Sequence, residues 1–298
     1  ICLCLWMLQN SITAHNSYSL VGGKARQSSG SRKCRRGVVA AAFLYMAAVL
    51  LFSIVIPYFS IITTSLIKLR GYGIAKGNFT FSHYIELLTE NRKGISALCN
   101  SLFLSVSSAT IAAVLGTLAV LVIRKSSGRR KKAVEALALL PEMLPSIVLV
   151  IGIMLFWNGI YKVIPIYNTR YILVLAYVAL FLPYTVQYVT SSFSQISSSL
   201  LDAGRVFGAS RGYILRRITL PLISRGIATG WMMTFIISFR ELVTASLIAP
   251  PNTLVVSTYI VREFEQGSVS LGMAMAVICV IFTTSILLVM NTITADRK

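Results

Sequence analysis

Three ionisable residues lie inside strongly apolar stretches of the sequence: Arg240 and Glu241 side by side, and Glu142 between Pro141 and Pro145. Ionisable groups at membrane depth are costly and usually face a transport pathway or each other. Hard cations prefer carboxylate oxygens. We therefore interpret Arg240, Glu241 and Glu142 as pathway or gate candidates, with Glu241 as the contact for a passing cation and Glu142 as a second candidate. A structural ion pair between Arg240 and Glu241 that fixes helix packing is an equally open alternative.

Residues that could support catalysis are scarce. The two histidines are His15 and His83, far apart in the sequence, and the five cysteines lack the spacing of a metal site. The phosphate-binding pattern G-x-x-x-x-G-K-[ST] does not occur, because the run that ends at Lys24 lacks its first glycine. We predict no catalytic residue, no metal site and no cofactor bound by this chain, which we do not expect to be an enzyme.

The composition of the 298 residues is that of a membrane protein. Apolar residues make up 56% and charged residues 12%, against about 25% charged residues in soluble domains, and the mean hydropathy is +0.76. A membrane-spanning helix needs about 20 apolar residues. The sequence therefore predicts an all-α integral membrane protein with six transmembrane helices, over residues 38–67, 95–123, 133–160, 171–193, 226–249 and 269–293.

The basic residues indicate how these spans are oriented. The net charge is +19, and most of the 28 lysines and arginines precede the first span, follow the second or fourth, or end the chain. Cytoplasmic loops carry this excess, so both ends of the 38–298 unit are predicted to be cytoplasmic, with anionic lipids as partners. No basic stripe carries interleaved aromatic residues, so we predict no nucleic-acid partner.

Residues 1–37 differ from the rest of the chain. Residues 1–12 are apolar but too short to span a bilayer, and they lack the features of a signal peptide. A Ser, Gly and Arg-rich segment follows. We interpret residues 1–37 as the remnant of a preceding transmembrane helix and a basic cytoplasmic linker, and residues 38–298 as the transmembrane domain.

The loop between the fourth and fifth spans, residues 194–223, is too long and too patterned to be a simple turn. Its apolar residues recur at near-helical spacing after Asp202. We predict two short helices, broken at Gly208 and Gly212, the second of which ends at Pro221.

This loop resembles the EAA loop of binding-protein-dependent ABC importer permeases. Asp202 stands where that pattern usually has Glu, and it keeps the acidic group. Gly204 stands where the pattern usually has its second Ala, and it keeps the small size. The matching residues, which the resemblance assigns to ATPase coupling, are Asp202, Ala203, Gly204, Gly208, Ile218, Leu220 and Pro221.

The resemblance implies the type I ABC importer permease fold and a defined set of partners. The loop would be a coupling helix that docks on an ATPase subunit dimer, which binds ATP and Mg and moves the membrane helices as rigid bodies. It also implies a substrate-binding protein, a second permease half that is fused or separate, and a multi-pass location in the bacterial inner membrane.

Several segments outside the loop look most like the C-terminal half of a ferric-iron permease, notably LALLPEMLPSIVLVIGI and FRELVTASLIAPPNT. Ferric iron is therefore the expected substrate. Polyamine, thiamine, sulfate and aminophosphonate importers share the architecture and remain alternatives. Outside this class, a secondary transporter that works without ATP is the main alternative; a membrane-embedded enzyme and a structural scaffold are further ones.

Overall fold

A computed structural model of the chain describes residues 36–295. Within that range the regular elements are helical, with one antiparallel bridge between Ile67 and Phe79. Residues 1–35, which hold almost all of the predicted remnant and linker, lie outside the described residues.

The chain divides after Ser60 into two units. Helix α1, Arg36–Leu50, passes through a π-helical turn, Leu51–Val55, into α2, Ile56–Leu66. Together they form a candidate membrane span, Gly37–Leu66, that closely matches the predicted 38–67. It is apolar on all faces, as a helix surrounded by lipid or protein must be.

The second unit, from Ile61 onward, holds the remaining elements. Its helices, α3 to α13, are in chain order Ser82–Ile85 (α3), Arg92–Lys125 (α4), Gly128–Met143 (α5), Ser146–Gly159 (α6), Arg170–Ser194 (α7), Ser198–Val206 (α8), Arg211–Ile214 (α9), Leu220–Phe239 (α10), Val243–Ile248 (α11), Val256–Gln266 (α12) and Val269–Ala295 (α13).

Five helices of residues 36–295 are long and apolar enough to cross a membrane, and a sixth crossing results if a bent pair counts as one span. That pair is α5 and α6, which meet at an angle of 108°. The predicted third span, 133–160, is therefore two helices that turn at Leu144 and Pro145. The bend falls here because proline disfavours helical conformation in the residue before it.

The predicted fifth span, 226–249, is wrong at both ends. Helix α10 begins at Leu220, and the candidate span runs from Arg211 to Phe239. The helix stops at Arg240, and a separate short helix, α11, follows from Val243. The apolar pattern continues through this break, so hydropathy alone did not reveal it.

Helices α4, α7 and α10 pack closely because small residues line their contacts. Gly116 of α4 and Gly230 of α10 both lie against Thr185 of α7, and Gly226 lies against the backbone carbonyl of Tyr188. A β-carbon at Gly230 would come 2.8 Å from the Thr185 Cα. Close backbone approach at small residues four apart is a recurrent mode of helix packing in membranes.

Helix α12 is tied to the beginning of α4 by polar contacts. The Asn91 side chain accepts a hydrogen bond from Gly94 N at 2.8 Å and donates one to the Tyr259 hydroxyl at 2.9 Å. Val256 N donates to Ser101 Oγ at 2.9 Å. These bonds fix α12 against the end of α4 that lies away from the 194–223 loop.

Candidate functional site

The loop at residues 194–223 folds as a helix, a tight reversal and a second helix. Helix α8 ends in a Schellman motif: Gly208 N donates to Arg205 O and Ala209 N donates to Gly204 O, both at 3.0 Å. Gly208 has φ +76°, a left-handed conformation that favours glycine. Ser210 then caps α9 by accepting from Tyr213 N at 3.3 Å. The predicted break at Gly208 is confirmed.

Two other predictions about this loop are wrong. Gly212 lies inside α9 and does not break it. Pro221 does not end a helix either: it lies near the start of α10, directly after the π-helical turn Leu215–Thr219. A π-helical turn, Leu215–Thr219, joins α9 to α10. The loop's second helix is therefore continuous with the fifth candidate span.

The reversal between α8 and α9 presents apolar side chains to the outside. Val206 is 84% exposed and Phe207 is 89% exposed. Beside them lies an open cleft of about 590 Å³, lined by Gly204, Phe207, Gly208, Ala209, Ser210, Tyr213 and Ile218. Three of the residues predicted for ATPase coupling, at 204, 208 and 218, thus lie on one surface.

The remaining coupling candidates lie around this surface. Asp202 forms an exposed ion pair with Arg205 at 2.8 Å, a kind of contact that contributes little stability. A β-carbon at Gly204 would meet Ile218 at 3.4 Å, an ordinary contact distance. The alanine that the EAA pattern usually has at this position would therefore fit. Ala203 lies in the same helix, whereas Leu220 and Pro221 begin α10.

Arg240 and Glu241 lie at the break between α10 and α11. They form no ion pair with each other in the described structure. The alternative prediction of a direct structural ion pair is therefore not supported. The Glu241 carboxylate instead accepts from the backbone N and the hydroxyl of Thr244, at 3.2 and 3.3 Å. The hydroxyl of Ser257 donates to the Glu241 backbone oxygen at 2.6 Å. Glu241 therefore caps α11, and Arg240 is exposed.

Glu142 has a partner that the sequence did not reveal. The amide of Gln187, on α7, donates a short hydrogen bond to the Glu142 carboxylate, and both residues are exposed in the single chain. Gln187 lies within the candidate membrane span Arg170–Ser194, about 10 Å along α7 from Ser194. An exposed carboxylate beside such a span cannot face lipid at low cost. No feature of the sequence points to Gln187 as the partner, because the two residues are 45 positions apart.

A metal cluster is not formed by these groups. Within residues 36–295, no three histidine, cysteine, aspartate or glutamate side chains come together to hold an ion. Glu142 and Glu241 accordingly stand as separate carboxylates, each held by a neutral hydrogen-bond donor.

Residues 104–297 match the family described as the inner membrane component of binding-protein-dependent transport systems. The match runs from α4 to the end of the chain and covers well over half of its length. The chain belongs to this family. The predicted class of ABC importer permease is thereby confirmed, and the 194–223 loop lies within the matched region.

Named members of this permease family are similar over most of the chain. The spermidine/putrescine transport permease PotC of Haemophilus influenzae is 27% identical over 257 residues, which are 86% of this chain and 96% of that protein. A putative 2-aminoethylphosphonate transport permease, PhnV of Salmonella typhi, is 25% identical over 224 residues, or 75% and 84%.

The fold of this permease is also similar to that of a solved structure. A bacterial ABC transporter involved in the import of the polysaccharide alginate aligns with a TM-score of 0.72 and 19% identity, covering 88% of this chain and 96% of that one. At this identity the similarity concerns the fold, and it confirms the predicted all-α importer-permease architecture.

Proposed function

We propose that this chain is one permease half of an ATP-driven importer and that it couples to an ATPase subunit dimer through residues 194–223. The observation that carries the proposal is the exposed apolar reversal at Val206 and Phe207. Exposed apolar residues beside a cleft are typical of a protein-binding surface. An ATPase groove that received Phe207 would bury this side chain, which water otherwise surrounds.

The path from that surface into the membrane is short and continuous. Helix α9 continues through a π-helical turn into α10, and α10 packs without gaps on α7 at Gly226 and Gly230. Because close-packed helices move as rigid bodies, displacement of the loop would carry α10 and α7 with it. Binding and hydrolysis of ATP and Mg take place in the partner in this proposal.

The proposal includes the remaining partners and the orientation. This permease half has an open polar face at Glu142 and Gln187, which a second permease half would cover. A substrate-binding protein would deliver substrate on the side opposite the 194–223 loop. The positive-inside rule favours a cytoplasmic position for that loop and for both ends of the 38–298 unit. The domain boundary near residue 38 stays a prediction.

For the substrate we propose a small cation, with ferric iron as the first candidate. The carboxylates of Glu142 and Glu241 support a cation, because neither is neutralised by a basic side chain in the described structure. The resemblance in sequence motifs favours iron. A polyamine is the second candidate, because the PotC relative transports one; the PhnV relative keeps an aminophosphonate open. Neither PotC nor PhnV is named as an iron permease.

Uptake in a strain that lacks this gene tests the proposal. Labelled Fe³⁺, spermidine and 2-aminoethylphosphonate are supplied separately, and uptake is compared between the parent chain, Gly208→Trp and Gly77→Trp. Gly77 is the matched control, because it also has a positive φ, +87°, and a β-carbon there also meets nothing within 4 Å, but it lies in the loop before α3. We expect Gly208→Trp, but not Gly77→Trp, to abolish uptake with membrane levels unchanged.

The same experiment separates the alternatives. Full uptake by Gly208→Trp would refute the coupling role, and uptake that persists without the ATPase would indicate a secondary transporter. The labelled compound that enters with the parent chain, and does not enter the strain that lacks the gene, identifies the substrate class. Uptake of spermidine without uptake of Fe³⁺ would show that the substrate is a polyamine and not iron. The proposal of an importer would still hold.

A further inference from the structure

Helices α10 and α13 touch at one end and leave a groove between them at the other. They meet where Phe282 lies against Phe235 and Phe239, at centroid distances of 6.4 and 5.2 Å. Toward the start of α10 and the end of α13 an open groove of about 350 Å³ follows, which is within the size range of ligand clefts. It is lined by Ser224, Ile227, Ala228, Trp231 and Met290.

The walls of this groove are almost entirely apolar. The four lining residues of α10 recur at helical spacing and so share one face. Trp231 stacks on Phe235 with ring centroids 5.3 Å apart and an interplanar angle of 6°, and its Nε1 donates to Thr110 Oγ1 at 3.1 Å. The indole is therefore held in place and its polar atom is satisfied, which leaves a fixed apolar surface for a ligand.

The open end of the groove is strongly basic. Arg225 follows Ser224 directly, and Arg216 and Arg217 lie about two turns earlier on the helix that continues into α10; all three are exposed. The sequence holds no acidic residue between Asp202 and Glu241. From Ser224 to Trp231 the groove runs about 10 Å along the helix, roughly a third of a hydrocarbon core of about 30 Å.

We propose that this groove binds a phospholipid with an anionic headgroup. The phosphate would lie at Arg217 and Arg225, and the upper part of an acyl chain would lie along Ile227, Ala228 and Trp231. An apolar channel that ends in arginines at the membrane surface complements a molecule with one apolar and one anionic end. Basic pockets between transmembrane helices on the cytoplasmic side bind such lipids.

Quenching of Trp231 fluorescence tests this site directly. The sequence has three tryptophans, so Trp6→Phe and Trp157→Phe leave Trp231 as the reporter within this chain, and the same complex with Trp231→Phe added supplies the signal of the partners' tryptophans for subtraction. The full chain, purified with its transport partners, is placed in nanodiscs that contain a small fraction of brominated phosphatidylglycerol or of brominated phosphatidylcholine with the same acyl chains. We expect phosphatidylglycerol to bind at least about fivefold more tightly, the effect of one basic residue near a lipid surface.

Variants separate a lipid site from general contact with the bilayer. Arg217→Gln with Arg225→Gln should abolish the preference for phosphatidylglycerol, whereas Arg129→Gln with Arg130→Gln, in another basic segment, should keep it. Ala228→Leu, which narrows the groove, should weaken quenching by both lipids. Thermal unfolding of each variant controls for folding. Equal quenching by both lipids in the parent, or an unchanged preference in the Arg217 and Arg225 variant, would overturn the proposal.

Discussion

Gly230 is a position where helices α7 and α10 approach each other closely through backbone atoms, and Gly230→Ala adds one methyl group at this contact. The added methyl carbon would lie 2.8 Å from the Thr185 Cα and 3.3 Å from its Cβ. Carbon atoms in optimal contact are about 3.5–4.0 Å apart. Since a main-chain atom cannot rotate away, the two helices must separate by roughly 0.7–1.2 Å.

The magnitude follows from a matched pair of substitutions. Gly152, inside α6, has nothing within 4 Å of an added β-carbon. Gly→Ala in a helix gains about 0.5–1 kcal/mol from the unfolded chain, and both variants share this gain. The difference between Gly230→Ala and Gly152→Ala therefore isolates the overpacking, which costs about 1–3 kcal/mol. For a chain of this size we expect a gap of roughly 2–12 °C in Tm.

The assay is thermal unfolding of both variants in one nanodisc composition. A second pair sharpens it, because a β-carbon at Gly116 would meet the Thr185 Cγ2 at 2.8 Å, an atom that Thr185→Ser removes. Thr185→Ser should therefore rescue Gly116→Ala in part and should not rescue Gly230→Ala. Equal Tm values for Gly230→Ala and Gly152→Ala, or rescue of both by Thr185→Ser, would refute the packing argument.

Three further predictions concern residues outside this contact. Burial, with Glu263 nearby, raises the pKa of Tyr259 above its ordinary value of 10.0. Tyr259 therefore ionises at a lower pH in the unfolded chain than in the folded chain, so stability falls as pH rises above about 10. Unfolding measured against pH should show this fall in the parent chain and lack it in Tyr259→Phe. Asn78 makes three hydrogen bonds of 2.8–2.9 Å within its loop, so Asn78→Ala should lose about 2–4 kcal/mol locally, seen as faster tryptic cleavage there. Glu241→Gln keeps an acceptor for Thr244 and should raise KM for a cationic substrate at least about tenfold at unchanged Tm; an unchanged KM would leave Glu241 as a helix cap alone.

The long apolar helices could be predicted from the sequence because their hydropathy is strong and their flanking charges are clear. What the sequence could not predict is which prolines bend the chain. Pro141 and Pro183 lie inside helices, whereas the chain turns by 108° at Pro145. The difference depends on whether neighbouring helices hold the backbone straight, as α4 and α10 do around Pro183, which is buried. That information is tertiary.

The candidate site was predictable to a similar extent. The break at Gly208 follows from a local rule about left-handed glycines, and the structure has it. The predictions for Gly212 and Pro221 are wrong because the residue type alone does not distinguish a glycine or proline that breaks a helix from one that a continuous helix contains. Gln187 could not be associated with Glu142 from sequence, since 45 residues separate them and the contact depends on the bend between α5 and α6.

Capture of the ATPase subunit through the exposed reversal tests the central claim most directly. Phe207→Asp places a charge on a side chain that is 89% exposed, and Val163→Asp does the same at a side chain that is 81% exposed in the loop between α6 and α7. Both substitutions should leave the fold intact. We predict that the ATPase subunit co-purifies with the parent chain and with Val163→Asp and is lost with Phe207→Asp. Undiminished co-purification with Phe207→Asp would contradict the account.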